Sequence, residues 1–286
     1  MVCDSTRAVS EVVSLILIIV LVAALTAFII IAVFGYTDLL VQPDLRPFTR
    51  DIPNSPVAYY GFDEQEGAVT KDLSGNRNDA NLTNANWMTS ALWRMHRYPS
   101  NSWMGFNGLN AYLSAPDRPT LDPTGDLTVE AWERWSVSPY PLPAAQQQAV
   151  IITKGNADSV YQYRLWHDYS STQNPRFRFS IRVGTTVRQR YSITLAKKDT
   201  WYYVVGTWNR TTGRMSIFVN GIRESSATYA TAALTTTANR LTVGARYNTN
   251  GITLSRFFPG QIDEVAVYNR CLSDAEVMER YRKYTT

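Results

Sequence analysis

The 286-residue chain has two cysteines, Cys3 and Cys271, and two histidines, His96 and His167. Neither cysteine belongs to a CxxC pair, so there is no disulfide framework to hold a small loop-rich fold. Two histidines without ligand spacing exclude a histidine zinc site. Lysine is scarce too: 5 of the 28 basic residues, the other 23 being arginine, scattered along the length. A net charge of +4 with no basic block gives no nucleic-acid footprint. Charged residues make up only 18% and hydrophobic ones 45%, so the chain is not a disordered one. No GxSxG turn or other nucleophile signature occurs.

One long apolar run is present. Val12 to Phe34 contains only Ser14 and Thr26 as polar interruptions. As a helix, 23 residues reach about 35 Å, enough for a bilayer core of about 30 Å. It is apolar on every face and needs lipid or other apolar helices around it. A cleaved secretory signal has a shorter core and a small-residue cut site after it. Here the small residue comes first, in Arg7-Ala8-Val9, so a cut after Ala8 leaves the helix on the mature chain. Glu11 then lies at the front of that helix, where the helix dipole favours an acid and where it can meet the α-amino group of a neighbouring subunit.

"TRAVSEVVSLILIIVLVAALTAFIIIAVFGY" resembles the N-terminus of archaeal type IV pilins. The resemblance implies cleavage between Ala8 and Val9 by a prepilin-type peptidase. It also implies extraction from the membrane into a filament whose partners are copies of the same chain. The amine-pairing acid carries over to Glu11, although it would be the third mature residue, whereas bacterial relatives place it fifth. An uncleaved membrane anchor is the competing reading. The expected organisation is therefore a leader (1–8), an apolar helix (9–36), a proline-rich neck (37–56) and a body (57–286).

The body changes period. "RFRFSIRV" alternates strictly, with Phe177, Phe179, Ile181 and Val183 on one face and Arg176, Arg178, Ser180 and Arg182 on the other, as a half-buried antiparallel strand does. "VNGI", Val219 to Ile222, is a hairpin turn. Many short strands with turn residues between them predict a mainly β, two-sheet antiparallel sandwich. Only the end reads as helix, with Ser273 and Glu276 in capping-box spacing.

The stretches "VAYYGFDEQEGAVTKDLSGNRNDANLT", "GFNGLNAYLSAPDRPTLDPTGDLTVEAW", "IITKGN", "TWYYVVGTWNRTTGRMSIFVNGI", "LTVGARYN" and "FPGQIDEVAVYNRCLSDAEVMERY" follow the order of the laminin-G-like, concanavalin A-like jelly-roll family and resemble it. That resemblance implies a jelly roll and a structural calcium. Asp63 and Asp263 are the expected side-chain ligands, with loop carbonyls near Asn76 and Asn78. Turn chemistry alone also accounts for Asp72-Leu-Ser-Gly-Asn76. Hydrolases on this fold need two carboxylates across the glycosidic bond. Glu130 and Glu133 are three apart on one strand, and Asp263 and Glu264 are adjacent, so each pair should point to opposite faces.

Tyr163, Trp166, His167 and Tyr169 are expected on or beside a loop, where rings could stack on a sugar or a protein. Asn81-Leu-Thr83 and Asn209-Arg-Thr211 are glycosylation sequons expected in turns. The resulting expectation is a non-enzymatic, pilin-like surface adhesion protein in the cell membrane or an extracellular filament. Its partners would be its own copies, the peptidase, the membrane, and a surface glycan or protein. The alternatives are a monomeric membrane-anchored lectin and a tethered glycan hydrolase.

Overall fold

The computed structural model describes residues 55–89, 102–136, 148–156, 160–168 and 175–285. Pro47–Thr286 forms one compact unit. The expected leader, apolar helix and most of the neck lie outside the described residues. Among the described residues no helix is long and apolar enough to cross a membrane.

In chain order the strands are β1 (Ala58–Tyr60), β2 (Val69–Thr70), β3 (Ala80–Thr83), β4 (Asn86–Thr89), β5 (Ser102–Asn107), β6 (Tyr112–Ala115), β7 (Leu127–Trp135), β8 (Gln148–Gly155), β9 (Tyr161–Asp168), β10 (Arg176–Val183), β11 (Thr186–Leu195), β12 (Trp201–Asn209), β13 (Arg214–Val219), β14 (Ile222–Thr228), β15 (Leu241–Val243), β16 (Arg246–Tyr247), β17 (Leu254–Ser255) and β18 (Pro259–Tyr268). One helix, α1 (Asp274–Thr285), follows. The first sheet runs β14-β13-β12-β7-β18-β5-β4, with β1 also paired to β18; the second runs β11-β10-β9-β8-β15-β6-β3-β2. Strands β16 and β17 make a separate hairpin. Pairing between the named strands is antiparallel throughout, as in the β10–β11 and β7–β12 ladders.

The sheets pack through the alternating apolar positions. Phe177, Phe179 and Ile181 of β10 are fully buried, as are Val129 and Ala131 of β7 and Val204 of β12. All belong to one cluster between the sheets. Gly206 of β12 belongs to this packing: a Cβ there would lie 2.2 Å from the Phe179 ring. The β13–β14 turn holds Asn220 and Gly221 at φ 51° and 81°, the left-handed geometry that this Asn-Gly pair adopts readily. Asn220 also accepts the Tyr203 backbone N–H at 3.0 Å, tying the turn to β12.

A second, smaller cluster lies on the far side of the first sheet, where α1 covers Trp132, Tyr203, Phe218 and Tyr268 with Val277 and Tyr284. The expected capping box is present. Ser273 Oγ accepts the Glu276 N–H at 3.3 Å, and Glu276 accepts the Ser273 N–H at 2.8 Å. Every residue of both clusters lies between Ala58 and Tyr284, so the body carries its own core.

Candidate functional site

The acids of β7 point as the alternation requires. Glu130 faces α1. It accepts Arg280 Nε at 2.9 and 2.8 Å, the Tyr203 hydroxyl at 2.6 Å and the Tyr268 hydroxyl at 3.0 Å. Glu133 faces the interior and is fully buried, with His167 Nδ1 3.7 Å from its carboxylate. Burial raises the Glu133 pKa, partly countered by His167. One strand thus sends two carboxylates to opposite sides of a sheet, and they cannot flank a single bond.

The loop expected to offer carbonyls is held by its own hydrogen bonds. Asn76 and Asn78 donate their side-chain amides to the Val57 carbonyl at 3.1 and 2.8 Å. The Asn78 carbonyl takes the Tyr60 hydroxyl at 2.6 Å. Asp72 accepts the backbone N–H groups of Ser74 (2.9 Å), Asn78 (2.8 Å) and Tyr59 (3.0 Å), which makes this loop a self-contained Asx turn.

Asp63 and Asp263, by contrast, do share a neighbourhood, and Glu264 joins them. Glu264 has φ 51° at a register shift in the β18–β7 ladder. That bulge breaks the simple alternation expected for adjacent residues. Desolvation, then Glu264, Asp263 and Glu64, push Asp63 up to about 8. Burial and Glu264 raise Asp263 as well. Glu264 accepts the hydroxyls of Tyr59 and, at 2.7 Å, Tyr284 of α1. Among the described residues no three of His, Cys, Asp or Glu converge at metal-ligand spacing. A cation here would rest on Asp63 and Asp263 with main-chain oxygens and water.

The predicted loop aromatics are corrected. Tyr163, Trp166 and His167 lie within β9 and are almost wholly buried, at 0, 3 and 0% exposure. Tyr163 faces the interior and donates to the Leu121 carbonyl at 3.1 Å. His167 packs between Trp135 and Phe177, with ring centroids 5.6 and 5.0 Å away. Tyr169 lies outside the described residues.

Trp166 faces outward, but it sits between two guanidiniums, with Arg178 Cζ 3.4 Å and Arg164 Cζ 4.9 Å from its ring. Arg164 also covers Tyr161 at 4.2 Å, and Arg178 pairs with Asp168 at 2.9 Å. This ladder was missed in the sequence because an arginine on the polar face of a strand reads as solvated. The pattern Arg-x-Trp in β9 opposite Arg-x-Ser in β10 was the available signal. Asn81 is exposed but lies in β3 rather than in a turn. Asn209 ends β12, and its side-chain oxygen accepts the Thr212 N–H at 2.8 Å.

A profile of the concanavalin A-like lectin/glucanases superfamily matches residues 106–278. No curated protein matches the chain. Among solved structures, the binding domain of Paraclostridial Mosquitocidal Protein 1 aligns with a TM-score of 0.58 at 15% identity, covering 80% of this chain and 52% of that one. The binding domain of botulinum neurotoxin serotype G aligns at 0.56 and 13%, covering 80% and 51%. The ligand-binding domain of serotype D, solved in complex with N-acetylneuraminic acid, aligns at 0.54 and 13%, covering 80% and 50%. The chain spans about half the length of these structures, and the likeness is one of fold.

Proposed function

The chain belongs to the concanavalin A-like lectin/glucanases superfamily, and we propose that it is a surface recognition protein whose jelly roll binds a glycan or a protein without chemistry. The observation that carries this reading is the union of that family's fold with a β7 strand whose two acids are held on opposite sides of the sheet. A hydrolase on this fold needs paired carboxylates. The serotype D structure crystallised with N-acetylneuraminic acid makes an acidic sugar a sensible first ligand to test.

The N-terminal run makes the protein surface-bound in this reading. Residues 9–36 serve first as a membrane helix and then as the filament-forming segment, with the prepilin-type peptidase cutting between Ala8 and Val9. Glu11 receives the amino group of the next subunit. The competing use is a permanent anchor. Sequencing the mature N-terminus separates them, since Val9 supports processing and Met1 supports the anchor. Calcium belongs to this reading at Asp63 and Asp263, where it would offset the repulsion of neighbouring acids.

Glycan-array and surface-protein binding by the chain beginning at Pro47 tests recognition itself. Saturable binding of a defined ligand supports it. Release of reducing sugar from a glucan panel would refute it.

A further inference from the structure

The β10–β11 hairpin carries a charge pattern that the whole-chain totals conceal. Between Pro175 and Lys198 there are five arginines and two lysines and no Asp or Glu. Arg188 and Arg190 turn toward the Tyr229 ring, at 4.7 and 5.3 Å. Arg178 is held by Asp168. Among the described residues Arg176 and Arg182 donate to the main-chain carbonyls of Ser192 and Gly184, at 3.4 and 3.2 Å. Among the described residues neither guanidinium is in an ion pair, Asp168 opposite Arg176 in the β9–β10 register being engaged by Arg178.

The same edge is unusually apolar. Val187, Ile193, Leu195 and Ile222 are 39, 68, 41 and 61% exposed, half of the exposed large hydrophobic residues among those described. Three of them alternate outward along β11, beside the outward arginines of β10, and Ile222 comes from the turn into β14, which abuts β11 at this edge. Edge strands usually risk pairing with another strand. Here Glu224 accepts the N–H groups of Ile193 and Thr194 at 2.7 and 2.8 Å, so those donors are closed to a partner strand. Branched aliphatic side chains offer no flat ring for a sugar to stack on. An occupant must therefore accept aliphatic side chains and supply negative charge without adding a strand.

We propose that this edge docks on an anionic lipid bilayer surface, with Ile193, Leu195 and Ile222 entering the headgroup region and Arg176 and Arg182 meeting lipid phosphates. Both terms match what interfacial binding needs: shallow apolar insertion and cations beside it. The inference stands independently of whether residues 9–36 anchor or polymerise.

The test is vesicle flotation with the chain beginning at Pro47, which carries its own core, in the presence of chelator. Vesicles with about 30% anionic phospholipid are compared with purely zwitterionic ones. Binding to the anionic vesicles alone, weakened by salt, is expected. Each arginine replaced in Arg176→Gln and Arg182→Gln should weaken binding about fivefold, and Arg→Lys at both should restore it. Ile193→Asp with Ile222→Asp should lower it further; both sites are exposed, and an unchanged unfolding temperature confirms the fold. Equal binding to both vesicle types, or none, overturns the proposal. So does binding to soluble heparin of the same strength that the Asp substitutions leave unchanged, or dimerisation that the Asp substitutions abolish.

Discussion

Glu130 and Arg280 form the contact by which the C-terminal helix is fixed to the sandwich, and its energetics can be worked out from the donors present. Glu130 is 2% exposed and receives the Arg280 guanidinium together with the hydroxyls of Tyr203 and Tyr268. Arg280→Met keeps most of the side-chain volume and removes the one cation bonded to this carboxylate among the described residues. Two phenols remain, and they solvate a charge less well than a guanidinium. Breaking a buried pair from one side costs about 3–5 kcal/mol. For a body of this size each kcal/mol moves the midpoint by about 2–4 °C, so a fall of roughly 6–20 °C is expected.

Urea and thermal unfolding of the chain beginning at Pro47 measure this, and tryptophan fluorescence gives a local readout. Trp132 stacks on Tyr281 of α1 at 5.8 Å, so loosening of the helix should change its emission before the global transition. The double change Glu130→Leu with Arg280→Met should recover most of the loss, because apolar replacement of a buried pair is close to neutral. A single-variant loss below about 1 kcal/mol, or a double variant less stable than the single, would refute the claim that this pair is desolvated and mutually dependent.

Three other outcomes follow from the geometry. Gly206→Ala should destabilise by about 1–3 kcal/mol or more, since its Cβ would fall 2.2 Å from the Phe179 ring; urea midpoints check this, and adding Phe179→Leu should relieve part of it. Glu133→Met should raise stability at neutral pH and reduce its dependence on pH. Burial lifts the folded pKa of Glu133 above the unfolded value, so its contribution is complete below about pH 4 and is lost as pH rises through the shifted value. Asp63→Asn should flatten the stability–pH curve in chelator between about pH 4, the unfolded value, and the folded value of about 8. There too the favourable side is the acid one, and calcium should raise the wild-type midpoint more than that of the variant.

The sandwich was legible because its signals are local and redundant. The alternation in "RFRFSIRV", the Asn-Gly turn and the Ser273–Glu276 box each reappear as the expected element. The site residues were less legible, because burial of a polar face depends on what lies across it. Arg164, Trp166 and Arg178 alternate as solvent-facing residues would, yet they are 0, 3 and 9% exposed. Each cation is satisfied by a ring or a carboxylate on its own or the neighbouring strand, which only the register reveals.

The acids around Asp63 show the same dependence on what lies across the chain. Asn78 belongs to a loop closed by hydrogen bonds with Asp72, Tyr60 and Val57. Asp263 lies near enough to Asp63 to raise its pKa, and Glu264 joins them from a bulge in β18 that no period-two reading anticipates. That bulge links two parts of the body. Through Tyr59 it touches β1 and through Tyr284 it touches α1, so one carboxylate ties the two ends of the described domain together.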